Sequence, residues 1–303
     1  MGKFAAMVQD SAFWQRIWDE ASRQGCCGTG DEHSAVERWN TFGASYLRDL
    51  GEEDQTRRFD LTMEMLAAVP LGPGARVLDI GAGPGNYAVP LAHRSAEVVA
   101  VEAAHTMTGL LQARVRREGC RNVRVVTAPW QEVDLDREGF RGGFDLVFAA
   151  LTPAVAGPRD FLRMMEASRG WCCYAAYAGG SGSRAVTELW PRIFPDQAPP
   201  APPSAVAFAF NLLCCLGYAP QVRFLEVRRV KERPVQEAVR RLELVFSRYL
   251  SVEGRAARLI REYVRERSRG GVFRQTVTAR VGILLWQVVP EEESRPWPLE
   301  AAR

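Results

Sequence analysis

The sequence predicts an α/β fold: a doubly wound, seven-stranded, mainly parallel sheet with an antiparallel last strand and a helical cap. Three observations carry this. Between residues 75 and 177 short apolar runs alternate with helical patterns, the signature of a sheet wound with helices on both faces. Val77-Leu78-Asp79-Ile80 runs straight into a turn with glycine at 81, 83 and 85, where ligands bind in such sheets. Two long alternating stretches, 221–231 and 272–289, close the chain and suit a final antiparallel strand.

Residues 4–24 carry Phe4, Met7, Phe13, Trp14, Ile17 and Trp18 on one helical face, and 35–50 place Trp39, Phe42, Tyr46 and Leu47 at helical spacing. A third helix, 54–69, packs through Phe59, Leu61, Met63, Leu66 and Val69 and ends at Pro70-Leu71-Gly72-Pro73-Gly74. Strands are expected at 75–80, 97–102, 122–127, 144–150 and 171–177, and helices at 84–94, 105–118 and 158–168. Beyond 181 come a helix at 183–194, a proline-rich connector at 199–203, an apolar helix at 205–216, strand 221–231, helices 234–250 and 255–269, and the closing strand. The expected organisation is a helical cap over residues 1–60 and a core over 61–303 with helical insertions at about 195–220 and 234–270.

Composition sets bounds. The chain has 303 residues, 47% hydrophobic and 25% charged, ordinary values for one large or two modest domains. It has no apolar run of ~18 residues, so no membrane span is expected. Residues 1–6 lack an apolar h-region and a myristoylation pattern, so a cytoplasmic location is expected. Arginine outnumbers lysine 37 to 2, a skew attributable to genomic base composition. Acids are interspersed with these arginines, and no nucleic-acid patch is read from them. Seven cysteines, with pairs at 26–27, 172–173 and 214–215 and no C-x-x-C, read as small buried hydrophobes and not as disulfides or metal ligands.

The turn narrows the chemistry. Gly81, Gly83 and Gly85 allow close backbone approach, and Pro84 has the φ of a first helical turn. A dinucleotide fingerprint G-x-G-x-x-G would place glycine where Asn86 stands, and Asp79 would repel a pyrophosphate. An acid two residues before G-x-G-x-G resembles the first motif of class I S-adenosylmethionine (SAM) methyltransferases. The resemblance covers about 75–180 by motif. It implies SAM as cofactor, with Asp79, Gly81, Ala82, Gly83, Gly85 and Asn86 around its methionine portion. Glu102, at the end of the second strand, is placed to accept the ribose hydroxyls. Ala103 and Met107 follow in the segment that packs against the nucleoside, although a helical methionine reads equally as core. Trp130 and Gln131 stand after the third strand, where many members carry an adenine-binding acid; here Ala128 and Pro129 occupy those places, and Trp130 is expected to cover the adenine face. Ala149, at the end of the fourth strand, faces the methyl donor, and Asp145 at its start reads as structural.

Trp39 and Tyr46 lie in a segment similar to the W-x-x-x-A-x-x-Y stretch that covers the cofactor in small-molecule methyltransferases, and they read equally as helix packing. With Thr152 they form the substrate-binding candidates. Thr152-Pro153-Ala154-Val155 lacks the second proline and the aromatic of enzymes that methylate base amino groups. The expected acceptor is therefore a small molecule, with nucleic acid not expected as a partner. The alternatives are a nucleic-acid or protein methyltransferase, or a SAM-binding protein without turnover. No catalytic residue stands out: methyl transfer needs alignment more than a base. His33, His105 and Tyr46 are candidates only, and Arg223, Arg228 and Arg229 could meet an acidic substrate.

Overall fold

The computed structural model describes residues 9–23, 36–37, 39–40, 52–179, 182–198, 204–247, 249 and 251–288. In chain order the elements are α1 (Ser11–Ala21), α2 (Glu52–Leu66), β1 (Arg76–Ile80), α3 (Ala88–Ala92), β2 (Glu97–Glu102), α4 (His105–Arg117), β3 (Val123–Thr127), β4 (Phe144–Ala150), α5 (Pro158–Glu166) and β5 (Ser168–Tyr177). They continue as β6 (Gly182–Ser183), α6 (Arg184–Ile193), α7 (Ala205–Cys215), β7 (Gln221–Pro234), α8 (Val235–Phe246), α9 (Gly254–Arg267), β8 (Ser268–Arg269) and β9 (Val272–Gln287). The parallel strands sit where the sequence places them. The expected helix 84–94 contracts to α3, because residues 81–87 form the turn itself. Among the described residues there are nine strands where seven are expected; β6 and β8 are the two-residue additions, each antiparallel to β9.

The chain divides into two compact units: 1–176 with 204–224 and 282–303, and 177–203 with 225–281. The expected helical insertions divide with it, α7 falling in the first unit and α8 and α9 in the second.

In the first unit the strands run in the order β3-β2-β1-β4-β5-β9. β1 pairs in parallel with β2 on one side and β4 on the other, which makes the end of β1 the switch point of the sheet. Val77, Leu78 and Ile80 are fully buried, so β1 carries almost continuous apolar sequence, interrupted only by Asp79. The core around them takes Leu146 and Phe148 from β4, Leu91 from α3, Met65 and Leu66 from α2, and Ile283 and Leu285 from β9. At the far end of the sheet Asp145 accepts from the Arg76 backbone N–H (2.8 Å) and from both sides of the Arg169 guanidinium (2.9 and 2.8 Å). These bonds, Arg169 first, hold its carboxyl below the usual carboxylate range. Asp145 is a structural clamp on the strand starts. Trp18 of α1 is fully buried, 5.3 Å from Phe161, 6.4 Å from Tyr174 and stacked at 6.2 Å on Phe208 of α7.

The second unit packs α6, α8 and α9 around Leu189, Trp190, Leu242, Phe246, Ile260 and Val264. The β6–β9 pairing, at Gly182–Thr278 and Ser183–Val277, belongs to it.

Candidate functional site

The turn after β1 is tied to the neighbouring strand by backbone: Gly81 N–H and Ala82 N–H both donate to the Val101 carbonyl, at 2.8 and 3.1 Å. Gly81, Gly83 and Gly85 all have positive φ (+66°, +54° and +84°), which favours glycine. Space matters as much at Gly81, where a Cβ would stand 1.9 Å from Thr152 Oγ1. Thr152 follows Leu151, whose φ of +50° makes it the only non-glycine with positive φ among the described residues. A strained backbone at a strand end is common at functional sites, and here it folds the β4 end over the glycine turn.

Over this turn lies a cavity of about 350 Å³. Its lining brings together Asp79, Gly81, Ala82, Gly83, Asn86, Glu102, Ala103, Met107, Trp130, Gln131, Trp39 and Thr152 from the expected set. Gly85 and Ala149 stay outside it. A Cβ on Gly85 would meet Leu111 at 2.4 Å, so this glycine serves helix packing. Ala149 is fully buried inside the sheet, and its neighbour Ala150 reaches the cavity instead, because successive strand residues face opposite ways. Tyr46 and His33 lie outside the described residues. Asn40 fastens the segment carrying Trp39 to the start of α4: its Oδ1 accepts from Thr106 N–H (3.3 Å) and its carbonyl from Thr106 Oγ1 (3.0 Å). His105 is exposed and away from the cavity. Arg223 pairs with Glu64 (3.9 Å), also away from it.

Two carboxylates form the polar floor. Asp79 is only 2% exposed, and its Oδ2 has no hydrogen-bond partner. Burial first, then the Glu102 charge, push its pKa up to about 7, against a downward pull from the Ala88 N–H. Glu102 accepts from Gly83 N–H (2.8 Å) and Ala104 N–H (2.9 Å), so it braces the glycine turn; burial raises its pKa above the ordinary value.

The sequence did not point to the opposite wall, supplied by α2 and the glycine turn. Arg58, Phe59 and Tyr87 line the cavity, and Arg58 Nε is buried with no partner. Tyr87 is stacked on Phe59 (5.7 Å), lies 4.7 Å from Phe148, and shares a 3.5 Å hydrogen bond with Thr62 Oγ1. Burial raises its pKa, so the phenol keeps its proton. A signal for Arg58 existed: it heads the stripe Thr62, Met65, Leu66 at i+4, i+7 and i+8, all buried, where a cation is out of place. Arg114 also lines the cavity, bonded to Asn86 Oδ1 at 3.0 Å.

Trp130 lines the cavity, where a cover for a ring is expected, and is also anchored to the loop behind it. It is 1% exposed, donates to the Asp160 carbonyl at 3.3 Å, and has the Arg163 guanidinium 5.2 Å from its ring centroid, so it wedges the loop in place. Gln131 Nε2 donates to the Ala154 carbonyl (3.1 Å) and Asp160 Oδ2 (3.2 Å), which commits both amide protons and leaves Oε1 as its acceptor. Cys172 and Cys173 are fully buried, and burial raises both thiols, Cys172 to about 12.

Residues 77–169 match the family described as "Methyltransferase domain". Among curated relatives, the 23S rRNA (uracil(1939)-C(5))-methyltransferase RlmD of Alkalilimnicola ehrlichii is 36% identical over 108 residues, which are 36% of this chain and 23% of that protein. The uncharacterized protein Rv1405c of Mycobacterium tuberculosis is 33% identical over 88 residues, 29% of this chain and 30% of that one. The chain thus spans less than a third of the length of either relative. The solved YcgJ protein of Bacillus subtilis shares 14% identity with a TM-score of 0.48, covering 75% of this chain and 97% of that one. The expectation against a nucleic-acid partner is corrected by these relatives, several of which are named as rRNA methyltransferases. That expectation rested on one missing proline–aromatic turn and on overall charge, neither of which reports on other nucleic-acid acceptors. Over residues 77–169 the chain therefore carries a methyltransferase domain, with the glycine turn and the sheet order that the resemblance to class I, SAM-dependent enzymes implies.

Proposed function

We propose that the chain transfers a methyl group from SAM to an acceptor held at the β4 end of this cavity. One observation carries the reading: Asp79 and Arg58 line one cavity, and each has a buried side-chain atom, Oδ2 and Nε, without a hydrogen-bond partner. Opposite charges without partners are costly in a protein interior unless a ligand completes them. An α-amino acid, such as the methionine end of SAM, brings the matching ammonium and carboxylate.

When bound, SAM supplies a methyl carbon already activated by its sulfonium. Asp79 would hold the ammonium and Arg58 the carboxylate, while the Gly81–Gly83 backbone lets the chain approach closely. Glu102, already positioned by two backbone N–H groups, would accept from the ribose hydroxyls, and Gln131 Oε1 from the adenine amine. Leu151, Thr152 and Pro153 bound the acceptor side. The residues there align the acceptor and exclude water, which is most of what an in-line displacement requires.

For the acceptor, the aromatic side chains Trp39, Phe59 and Tyr87 support a planar or apolar group. A free small molecule is the reading that this wall supports by itself. RNA is the second reading, supported by the relatives named for 23S rRNA. Calorimetric titration with SAM, S-adenosylhomocysteine (SAH) and NAD tests the cofactor. Micromolar binding of the adenosyl ligands, weakened in Asp79→Ala and Glu102→Ala, is expected; binding of NAD alone, or of nothing, would overturn the proposal. A methyl-acceptor screen with radiolabelled SAM, run on small molecules and on RNA, separates the two acceptors.

A further inference from the structure

The net charge of +3 conceals a division between the two units. The second unit, 84 residues long, holds 17 arginines and lysines against 9 acids, a net +8; the first holds 22 against 27, a net −5. Genomic base composition explains why arginine replaces lysine. It does not explain why one compact unit gathers the excess and the other carries the deficit. The division is hidden in the sequence because the second unit is assembled from two separated segments.

Within that unit many arginines are neutralised. Arg184 pairs with Glu188 (2.7 Å), Arg233 with Glu237 (3.0 Å), Arg274 with Glu232 (3.3 Å) and Arg280 with Glu226 (2.7 Å), while Arg267 meets both Glu188 and Glu266. Helix α9 is different. Ala256, Ala257, Ile260, Tyr263 and Val264 face the unit's interior. Arg258, Arg261 and Arg265 are exposed and, at ~100° per residue, fall within an arc of ~60° on the outer face. No acid stands within ion-pair distance of any of the three among the described residues; Arg261 donates only to the Ala257 carbonyl, at 3.1 Å. Glu262 and Glu266 lie on the adjoining flank and leave the stripe itself cationic.

We propose that the second unit is an RNA-binding module whose phosphate-contacting surface is the Arg258–Arg261–Arg265 stripe of α9. The chemistry that matches three guanidinium groups without a carboxylate partner along one helix face is a row of phosphates. A membrane surface would be the other polyanion, but it takes a helix whose apolar face is free to insert. The apolar face of α9 is spent on the unit's own core, and its outer face carries no large apolar side chain. The proposal deepens the RNA reading of the acceptor and leaves the cofactor site untouched.

The test is fluorescence anisotropy of the full chain with a labelled 30-nucleotide RNA across a salt series. A parallel arm uses vesicles with 30% anionic lipid. SAH binding to the same preparations checks folding and separates this proposal from the cofactor reading. Wild type is expected to bind RNA with an affinity that falls steeply with salt. Arg258→Ala/Arg261→Ala/Arg265→Ala is expected to reduce the slope of log K against log salt by about 2, at ~0.7 per phosphate contact on a single strand, and to bind SAH as wild type does. The triple Arg→Lys variant is expected to keep the wild-type slope. RNA binding of unchanged slope in the alanine variant would overturn the proposal. So would no RNA binding by a wild-type chain that binds SAH, or binding to vesicles and not to RNA.

Discussion

Replacing Asp79 with asparagine isolates the cost of holding a carboxylate on the cavity floor. Burial, with Glu102 second, moves this group from 3.8 to about 7. The sign follows from proton binding. Between about pH 4 and pH 7 the folded chain keeps a proton that the unfolded chain has lost, so stability falls as pH rises through that window. Above pH 7 the full cost is present, about 4 kcal/mol for a shift of this size. The Asp79→Asn chain carries no such cost. Its stability relative to wild type should therefore rise by about 3 kcal/mol between about pH 4.5 and pH 8, read by urea unfolding without cofactor. Saturating SAM should reverse the order at pH 8, because its ammonium gives the wild-type carboxylate a partner that asparagine cannot match. Wild-type affinity for SAM should in turn fall about tenfold per pH unit below pH 7, as Asp79 takes up its proton. A wild-type-to-variant difference that stays within about 0.5 kcal/mol across the range would refute the argument from burial.

Arg58→Gln should weaken SAH binding by about 10- to 100-fold, the worth of a charge-assisted hydrogen bond, and leave methylthioadenosine, which lacks the amino-acid end, unaffected in the same titration. Equal losses for both ligands would mean that Arg58 acts on the fold and not on a carboxylate. Gly81→Ala should displace Thr152 and cost at least about 1–3 kcal/mol in thermal unfolding, from the strained φ and the 1.9 Å approach together. Glu102→Gln presents an amide where two backbone N–H groups already donate; SAH affinity should fall about tenfold or more, and the Gly83 and Ala104 amides should exchange hydrogen faster.

The strands were legible in the sequence because a doubly buried strand leaves a local mark: Val77, Leu78 and Ile80 can only be an interior run, and glycine at 81, 83 and 85 needs no partner to announce a turn. Asp79 and Glu102 were legible for the same reason, each being an acid at the end of an apolar strand. Asp145 was rightly read as structural, because it lies at the opposite end of β4 from the ligand side. Ala149 was placed one residue off, since alternation along β4 decides which neighbour faces the cavity and a run apolar on both sides does not display its phase. Trp130 reads as a ring cover by position and lines the cavity, but its anchorage was not legible, because its indole is held by the Asp160 carbonyl and Arg163, groups 30 and 33 residues further along the chain.

By itself, then, the sequence determined the sheet, the glycine turn and the two acids beside it, because each depends on residues within a few positions of one another. Tertiary structure alone decided that Arg58, Phe59 and Tyr87 close the cavity, that Leu151 bends the β4 end over Gly81, and that two separated segments gather a surplus of eight positive charges in one unit. Those features depend on which distant segments meet, and neither periodicity nor composition encodes the partner across the gap.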